Sequence, residues 1–267
     1  MAILVYKERC TGCGFCVDAC LYDAIEIVDD VAVIKANCNL CGACLGVCDF
    51  NALKMEQVEA AETVDLSTYR GVWIFAEQRG GAVSSVALEL LNEGRKLADR
   101  LDTSLCAVLL GHEISAQASM LVAHGADRVV VVDDPVLKDF NDDAYTAVLS
   151  SLILKEKPEI VLCGATAIGR SFIPRVAARL GTGLTADCTG LDVDPGTRQL
   201  LQTRPAWGGN ILATILCPNH RPQMATVRHK VFKKAESNQG RQGEIVRRDL
   251  DGISMDLKSR VVKTVEE

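Results

Sequence analysis

The sequence predicts an α/β protein in which a doubly wound, mostly parallel sheet follows a small cysteine-rich α+β domain. Three observations carry that expectation. Eight of the twelve cysteines fall within the first 48 residues. From Gly71 onward, short apolar runs alternate with amphipathic stretches of helical length. Beyond Gly181 the pattern becomes strand-rich. A chain of 267 residues, 48% hydrophobic and 24% charged, is long enough to bury a core in each of two domains. The expected organisation is a cysteine-rich domain over 1–58, a polar linker over 59–68 and the α/β domain over 69–267.

Cys10, Cys13, Cys16 and Cys20 form the pattern C-x2-C-x2-C-x3-C, and Cys38, Cys41, Cys44 and Cys48 repeat it 28 positions later. The flanks repeat too: Ala24-Ile-Glu-Ile27 is answered by Ala52-Leu-Lys-Met55, and Lys7-Glu-Arg9 by Lys35-Ala-Asn37. This spacing binds two iron–sulfur cubanes in bacterial ferredoxins, with the fourth Cys of each run ligating the other cluster. A tight loop with a Cys every third residue lets three thiolates reach three corners of one cube. Gly12, Gly14 and Gly42 relieve backbone crowding there. A short helix after the third Cys, Cys16–Cys20 or Cys44–Cys48, points the last thiolate away. Two [4Fe-4S] clusters are therefore expected: the first on Cys10, Cys13, Cys16 and Cys48, the second on Cys38, Cys41, Cys44 and Cys20. Leu21 and Asp49 stand where a Pro usually follows the fourth Cys. No ligand is lost, but the Asp49 charge should lower the potential of its cluster. A disulfide framework would need an oxidising compartment, and Met1–Arg9 lacks a signal-peptide pattern. Zinc sites favour C-x2-C pairs with a longer spacer.

Net charge is −6, with Lys and Arg dispersed, so nucleic acid is not an expected partner. No apolar run approaches the roughly 18–20 residues that span a bilayer. Cys106, Cys163, Cys188 and Cys217 lie in apolar segments and read as buried free thiols, which fits a cytoplasmic location.

The α/β pattern is read in order. Val72–Ala76 is a strand, Val83–Leu101 a helix, Leu105–Leu110 a strand, Ser115–His124 a helix and Arg128–Val132 a strand. Asp142–Glu156 is a helix, Ile160–Cys163 a strand and Ile168–Leu180 a helix. Short apolar strands separated by helices indicate a mostly parallel sheet covered on both faces. Strands follow at Cys188–Val193, Gln199–Thr203, Ile211–Cys217 and Gln223–Val227, with a turn at Asp194-Pro-Gly196. Residues 236–252 read as an exposed excursion, and Lys258–Val265 as a last strand.

Gly164-Ala-Thr-Ala-Ile-Gly-Arg-Ser171 fits a phosphate loop with Arg in place of Lys, between a strand and a helix. Arg is a poor substitute for that flexible point charge, and no acidic strand end is placed to hold magnesium. Arg204-Pro-Ala-Trp-Gly-Gly-Asn210 joins two strands, and its paired glycines suggest close backbone approach to something. Arg228 ends a strand beside His229 and Lys230. His112, His124 and His220 show no metal spacing. No nucleophile is marked with its base, so no catalytic residue is assigned.

From Tyr69 to about Phe232 the chain resembles the N-terminal domain of electron transfer flavoprotein alpha-subunits. The resemblance rests on Gly125-Ala-Asp-Arg-Val-Val-Val-Val-Asp133, on Gly164-Ala-Thr-Ala-Ile-Gly-Arg170 and on Pro174-Arg-Val-Ala-Ala-Arg-Leu-Gly-Thr-Gly-Leu-Thr-Ala-Asp187. Arg204-Pro-Ala-Trp-Gly-Gly-Asn210 and Thr226-Val-Arg228 extend it. With the cysteine repeat ahead of it, the whole is similar to the ferredoxin-fused alpha-subunits of anaerobic bacteria. Those serve flavin-based electron bifurcation or confurcation with lactate dehydrogenase or the caffeyl-CoA reductase complex.

The resemblance implies a non-catalytic electron-transfer subunit. Its implied partners are an electron transfer flavoprotein beta-subunit carrying FAD and binding NADH, a flavin dehydrogenase of lactate or acyl-CoA type, and external ferredoxin. The clusters would wire the beta-subunit FAD to ferredoxin. By analogy Arg228, and secondarily Arg204, would approach that isoalloxazine. The family's C-terminal FAD domain opens with a Ser-Gly-Gly-Arg-Gly-like loop, which is absent here. The sequence is therefore expected to be part of a longer chain, and FAD is not held by this part alone. The alternative is a ferredoxin fused to an adenine-nucleotide-binding regulatory module, supported by Gly164–Ser171.

Overall fold

Each cysteine run leads into a short alternating apolar stretch, and each stretch becomes a strand. In the computed structural model, which describes residues 2–56, 65–209 and 211–262, the chain divides into two units, residues 1–64 and 65–267. In the first unit, β1 (Ala2–Val5) pairs antiparallel with β4 (Leu53–Glu56), and β2 (Ile25–Val28) pairs antiparallel with β3 (Val31–Ile34). The β2–β3 turn places Asp29 and Asp30 at φ 50° and 59°, the left-handed pair that a two-residue hairpin requires. Ile3, Ile25, Ala32 and Leu53 bury their side chains with Cys16 and Cys44 in one small core.

The first cysteine run carries the expected helix, α1, over Phe15–Asp18. The second does not: residues 43–47 form turns. Gly46 sits inside that segment where the first run has Asp18, and a helical Gly costs about 1 kcal/mol relative to Ala. A one-turn helix has too few hydrogen bonds to offset it.

The second unit is the doubly wound α/β domain. Its seven-stranded sheet runs β11-β15-β10-β5-β8-β9-β16, every neighbouring pair parallel. These strands are β5 (Val72–Phe75), β8 (Leu105–Gly111), β9 (Arg128–Asp133), β10 (Ile160–Gly164), β11 (Leu184–Cys188), β15 (Gln223–Val227) and β16 (Glu244–Arg248). A small hairpin of β6 (Gln78–Arg79) and β7 (Ala82–Val83) precedes helix α2 (Ser85–Arg100). Alternation along the strands sorts the core. Val72, Ile74, Leu105 and Leu109 face one layer with α2 and α3 (Ala118–Ala123). Trp73, Phe75, Val108 and Val161 face the other, with α4 (Asp142–Glu156) and α5 (Ala167–Leu180). Burial on both faces explains why these strands read as continuous apolar runs. The antiparallel sheet β12 (Gly190–Asp194), β13 (Gln199–Ala206) and β14 (Ile211–Ile215) adds Val193 and Leu200 to the first layer.

Three expectations change. The run Cys188–Val193 is not one strand: Cys188 ends β11 in the parallel sheet, and Gly190 begins β12 in the antiparallel one. The excursion at 236–252 contains the edge strand β16, pairing with β9 from Glu244↔Arg128 to Arg248↔Val132. Its sequence, Glu-Ile-Val-Arg-Arg, is too polar to read as a strand, because an edge needs little apolar cover. Ion pairs hold it instead: Arg248 donates to Glu156 at 2.8 Å, and Glu156 also receives Arg128 at 2.7 Å. At Lys258–Val265, residues 258–262 are irregular, and 263–265 lie outside the described residues, as do 57–64 of the linker region. Among the described residues, no helix is long and apolar enough to cross a membrane.

Candidate functional site

The fold of the first unit interleaves the two cysteine runs. One hollow of about 330 Å³ is walled by Cys10, Cys13, Cys16 and Cys48. A second, of about 270 Å³, is walled by Cys20, Cys38, Cys41 and Cys44. Each therefore takes three thiols from one run and the fourth from the other. The rest of the first lining includes Phe15, Ile27, Ala32 and Leu53, and of the second Ile3, Tyr22 and Ile25. Cys13 and Cys41 reach the surface, whereas Cys16 and Cys44 are buried.

The repeat is visible in the backbone. Gly12 and Gly14 adopt φ 65° and 82°; their counterparts Leu40 and Gly42 adopt 61° and 79°. Both loops thus use the same two left-handed positions. Leu40 holds one of them at a cost of about 1–2 kcal/mol, since its Cβ crowds the following carbonyl. At Gly12 a Cβ would stand 2.9 Å from the Asp30 backbone, so no side chain fits. Ala24 N–H donates to Cys20 Sγ, and Ala52 N–H to Cys48 Sγ, each at 3.3 Å. Ala32 N–H donates to Cys10 Sγ at the same distance. Such bonds stabilise negative charge on sulfur and tune a bound cluster.

Burial pushes the Cys16 thiol up, and negative charge on Cys10, Cys13 and Cys48 pushes further against a backbone hydrogen bond. Cys44 is raised likewise by burial, then by Cys16, Cys38 and Cys41. Four neighbouring thiolates repel one another unless a positive centre lies between them. Among the described residues no three Cys, His, Asp or Glu side chains converge to hold a single ion. A zinc ion draws its sulfurs to about 2.3 Å from one centre, whereas a cubane takes one thiolate at each iron around a wider hollow. The thiols, apolar walls and sulfur-directed N–H groups fit two cubanes.

In the second unit, the strand order reverses between β5 and β10, the switch point at which open α/β sheets form a ligand crevice. Here that crevice is closed. Thr166 caps α5, accepting Gly169 N–H at 3.0 Å and donating its hydroxyl to the Glu77 carboxylate. Glu77 is only 1% exposed. A Cβ on Gly169 would stand 1.9 Å from the Gly164 carbonyl oxygen. A carboxylate thus occupies the ground a phosphate would need, which argues against a nucleotide at Gly164–Ser171. The sequence reading missed Glu77; no motif marks it.

Arg228 directly follows β15, its N–H donating to the Cys188 carbonyl at 3.0 Å. Its guanidinium stands 3.8 Å from the Asp187 carboxylate. Asp187 is gripped more closely by Arg170, at 3.2 and 3.0 Å. It sits at φ 60° on the β11 bulge, its N–H held by Thr226 Oγ1 at 3.0 Å. Arg204 lies on β13, where it pairs with Ala213. Burial raises the Cys188 thiol to about 11, with Arg204 opposing and Asp187 adding to the rise. Both arginines thus lie about the end of β11, and the Asp187–Arg170 pair beside them was not evident in the sequence. Asn210 lies outside the described residues. Cys106, Cys163 and Cys188 are buried as expected, but Cys217 is only half-buried. His124 Nδ1 meets the Met120 carbonyl at 2.7 Å and His112 lies 3.9 Å from Asp133, contacts that hold local structure.

These features define a class: an iron–sulfur dicluster unit joined to a doubly wound α/β domain. Residues 9–52 match the 4Fe-4S dicluster domain, and residues 72–252 match the electron transfer flavoprotein domain. The chain belongs to the electron transfer flavoprotein family. It is 47% identical over 202 residues to an electron transfer flavoprotein subunit alpha of Thermoanaerobacterium thermosaccharolyticum, covering 76% of this chain and 61% of the relative. It is 39% identical over 249 residues to the lactate dehydrogenase (NAD(+),ferredoxin) subunit LctC of Acetobacterium woodii, covering 93% and 58%. It is 43% identical over 232 residues to the acryloyl-CoA reductase electron transfer subunit beta of Anaerotignum propionicum, covering 78% and 63%. The chain thus spans about three fifths of the length of these relatives.

Proposed function

We propose that this chain is the electron-transfer subunit of a flavin-based bifurcating or confurcating complex in the cytoplasm. It passes low-potential electrons between the FAD of a beta-subunit and external ferredoxin, in concert with a lactate or acyl-CoA dehydrogenase. The observation that carries this reading is the pair of hollows, each ringed by four thiols drawn from both repeats, in a chain whose second unit is an electron transfer flavoprotein domain. Residues 1–58 form the iron–sulfur domain, and 69–267 form the domain that docks the beta-subunit.

Two [4Fe-4S] clusters, when bound, supply one-electron carriers whose potentials follow charge, hydrogen bonding and exposure. The residues of the chain do the rest. Cys10, Cys13, Cys16 and Cys48 hold the first cluster, and Cys38, Cys41, Cys44 and Cys20 the second. The Ala24, Ala32 and Ala52 N–H groups orient and polarise three of those sulfurs. Ile3, Ile25, Ile27 and Leu53 exclude water from the inner thiols. Arg228, held loosely by Asp187, is the cation available to a reduced flavin of the partner, with Arg204 on the neighbouring strand. Arg170 is already committed to Asp187.

The test is anaerobic purification with whatever co-elutes, followed by iron, sulfide and flavin analysis. About eight irons per chain, with FAD on companion polypeptides, is the expected result. Zinc in place of iron would overturn the cluster assignment. Eight irons with no flavin and no companion would overturn the complex.

A further inference from the structure

The second unit carries a polar recess that electron transfer does not use. Past β16, Leu250, Ile253 and Met255 pack on the second core layer. Ser254, Asp256 and Lys258, alternating with them, wall an open recess of about 600 Å³. Asp143, Thr146 and Ala147, three and four apart on α4, border it from one helix, and Arg175 and Arg179, four apart on α5, from the other. The wall is pinned in place. The Lys258 N–H donates to Asp143 at 2.9 Å, and the side-chain amide of Asn141, the cap of α4, donates to the Ser259 carbonyl at 2.9 Å.

Charge in the recess is unevenly matched. Arg175 meets the Asp143 carboxylate and stands 3.6 Å from Asp142, while Lys258 meets Asp256. Arg179 is exposed and has no ion-pair partner among the described residues. The Lys258 N–H, and then Arg175, hold the Asp143 carboxyl below its ordinary value, so it stays an ionised acceptor. Asp256 gives one carboxylate oxygen to Lys258, and the other has no partner among the described residues. Thr146 is only 5% exposed, and among the described residues its hydroxyl has no hydrogen-bond partner. A buried polar group left unpaired in a native fold marks a partner still to be supplied.

Two kinds of recognition therefore sit together. A guanidinium fork free of acids suits a phosphoryl group, which it grips through two parallel hydrogen bonds. Ionised carboxylates with capacity to accept, beside the Ser254 hydroxyl, suit the hydroxyl groups of a ligand. None of the described residues that line the recess is aromatic, so nothing there stacks on a nucleobase. Its volume falls within the roughly 300–1,000 Å³ of small-molecule sites. We propose that this recess binds a phosphorylated sugar or polyol, with the phosphoryl group on Arg179 and the hydroxyls on Asp143, Asp256 and Ser254. Such a ligand bridges α4 and α5 to residues 254–258 and fastens that segment. No bond forms or breaks. The site lies wholly in the second unit and does not depend on the cluster reading.

The test uses the full chain, purified anaerobically with its iron and dialysed free of phosphate. Isothermal titration compares glucose 6-phosphate and glycerol 3-phosphate with glucose, inorganic phosphate and AMP. At least one of the two phosphorylated probes should bind with a Kd below about 1 mM. Glucose and inorganic phosphate, each lacking half of the recognition, should bind about tenfold more weakly. Arg179→Gln should weaken the phosphorylated probe about tenfold. Ser254→Ala should weaken it about threefold while leaving inorganic phosphate unchanged. Arg260→Gln, on the same segment but outside the recess, should change neither. Hydrogen exchange at residues 253–259 should slow when the probe binds, with β5 and β8 unaffected. Arg179 and Ser254 are exposed, so the ligand-free variants should melt with the wild type, which is measured for each. A Kd above about 1 mM for both phosphorylated probes overturns the proposal. So does unchanged binding by Arg179→Gln, or tighter binding of AMP than of either probe. Equal affinity for inorganic phosphate would mean an adventitious ion only, and overturns it as well.

Discussion

At the scale of single residues, the least forgiving positions are those with no room. Gly169 lies against the Gly164 carbonyl and 3.0 Å, by its absent Cβ, from Cys163 Sγ. Neither neighbour can swing aside, one being backbone and the other fully buried. Gly169→Ala should therefore destabilise the second unit by roughly 3 kcal/mol, the upper end of overpacking, read as a lower urea midpoint with unchanged slope. Cys48 is a sharper probe of ligand assignment, because it lies in the second run but walls the first hollow. Cys48→Ser should perturb the cluster otherwise held by Cys10, Cys13 and Cys16, leaving the spectrum of the other intact. Loss of the cluster on Cys38, Cys41 and Cys44 instead would show that the fourth ligands do not cross. Arg228→Ala should shift the flavin potential of the assembled complex while leaving iron content unchanged; an unmoved potential removes Arg228 from the flavin site.

At the scale of elements, β16 shows how an edge is held by charge. Glu156, at the end of α4, accepts from Arg128 on β9 and Arg248 on β16, and this holds its carboxyl down to about 2. A carboxyl lowered in the folded state contributes stability above its unfolded value, near 4.5, and that contribution is lost as pH falls toward about 2. Discounted for solvent screening, the effect is about 1–2 kcal/mol. In Glu156→Gln the acid-dependent loss between those limits should shrink by that amount, measured by urea unfolding across pH. Hydrogen exchange should show faster opening of residues 244–248 in the same variant, with β5 and β8 as protected as before. Uniform acceleration across the sheet would mean that the ion pair supports the whole fold and not the edge.

At the scale of the whole molecule, two separate cores imply two separate stabilities. The first unit buries few apolar side chains beyond its thiols, and a small domain with so little core gains much of its stability from a metal or other staple. The second buries two extensive layers. Calorimetry of the iron-loaded chain should show two transitions, and removal of iron should abolish the first while leaving the second within a few degrees. A single transition that vanishes with iron would mean that the second unit cannot stand without the first.

The cysteine spacing by itself pointed to the two crossed sets of four thiols that wall the hollows, because a repeat of such fixed geometry leaves few ways to surround a cube. Alternating apolar runs likewise determined the doubly wound sheet, since strands buried on both faces must read as continuous hydrophobic stretches. Other features were decided only by tertiary contacts. β16 is too polar to be seen as a strand until Glu156 is placed beside it by α4. The change of sheet at Thr189 depends on the bulge at Asp187, which no local preference announces. Glu77 closes the crevice over Gly164–Ser171 only because β5 and β10 become neighbours 89 residues apart at Glu77 and Thr166. Local spacing fixes what a residue can bind; long-range packing fixes which charges and walls surround it.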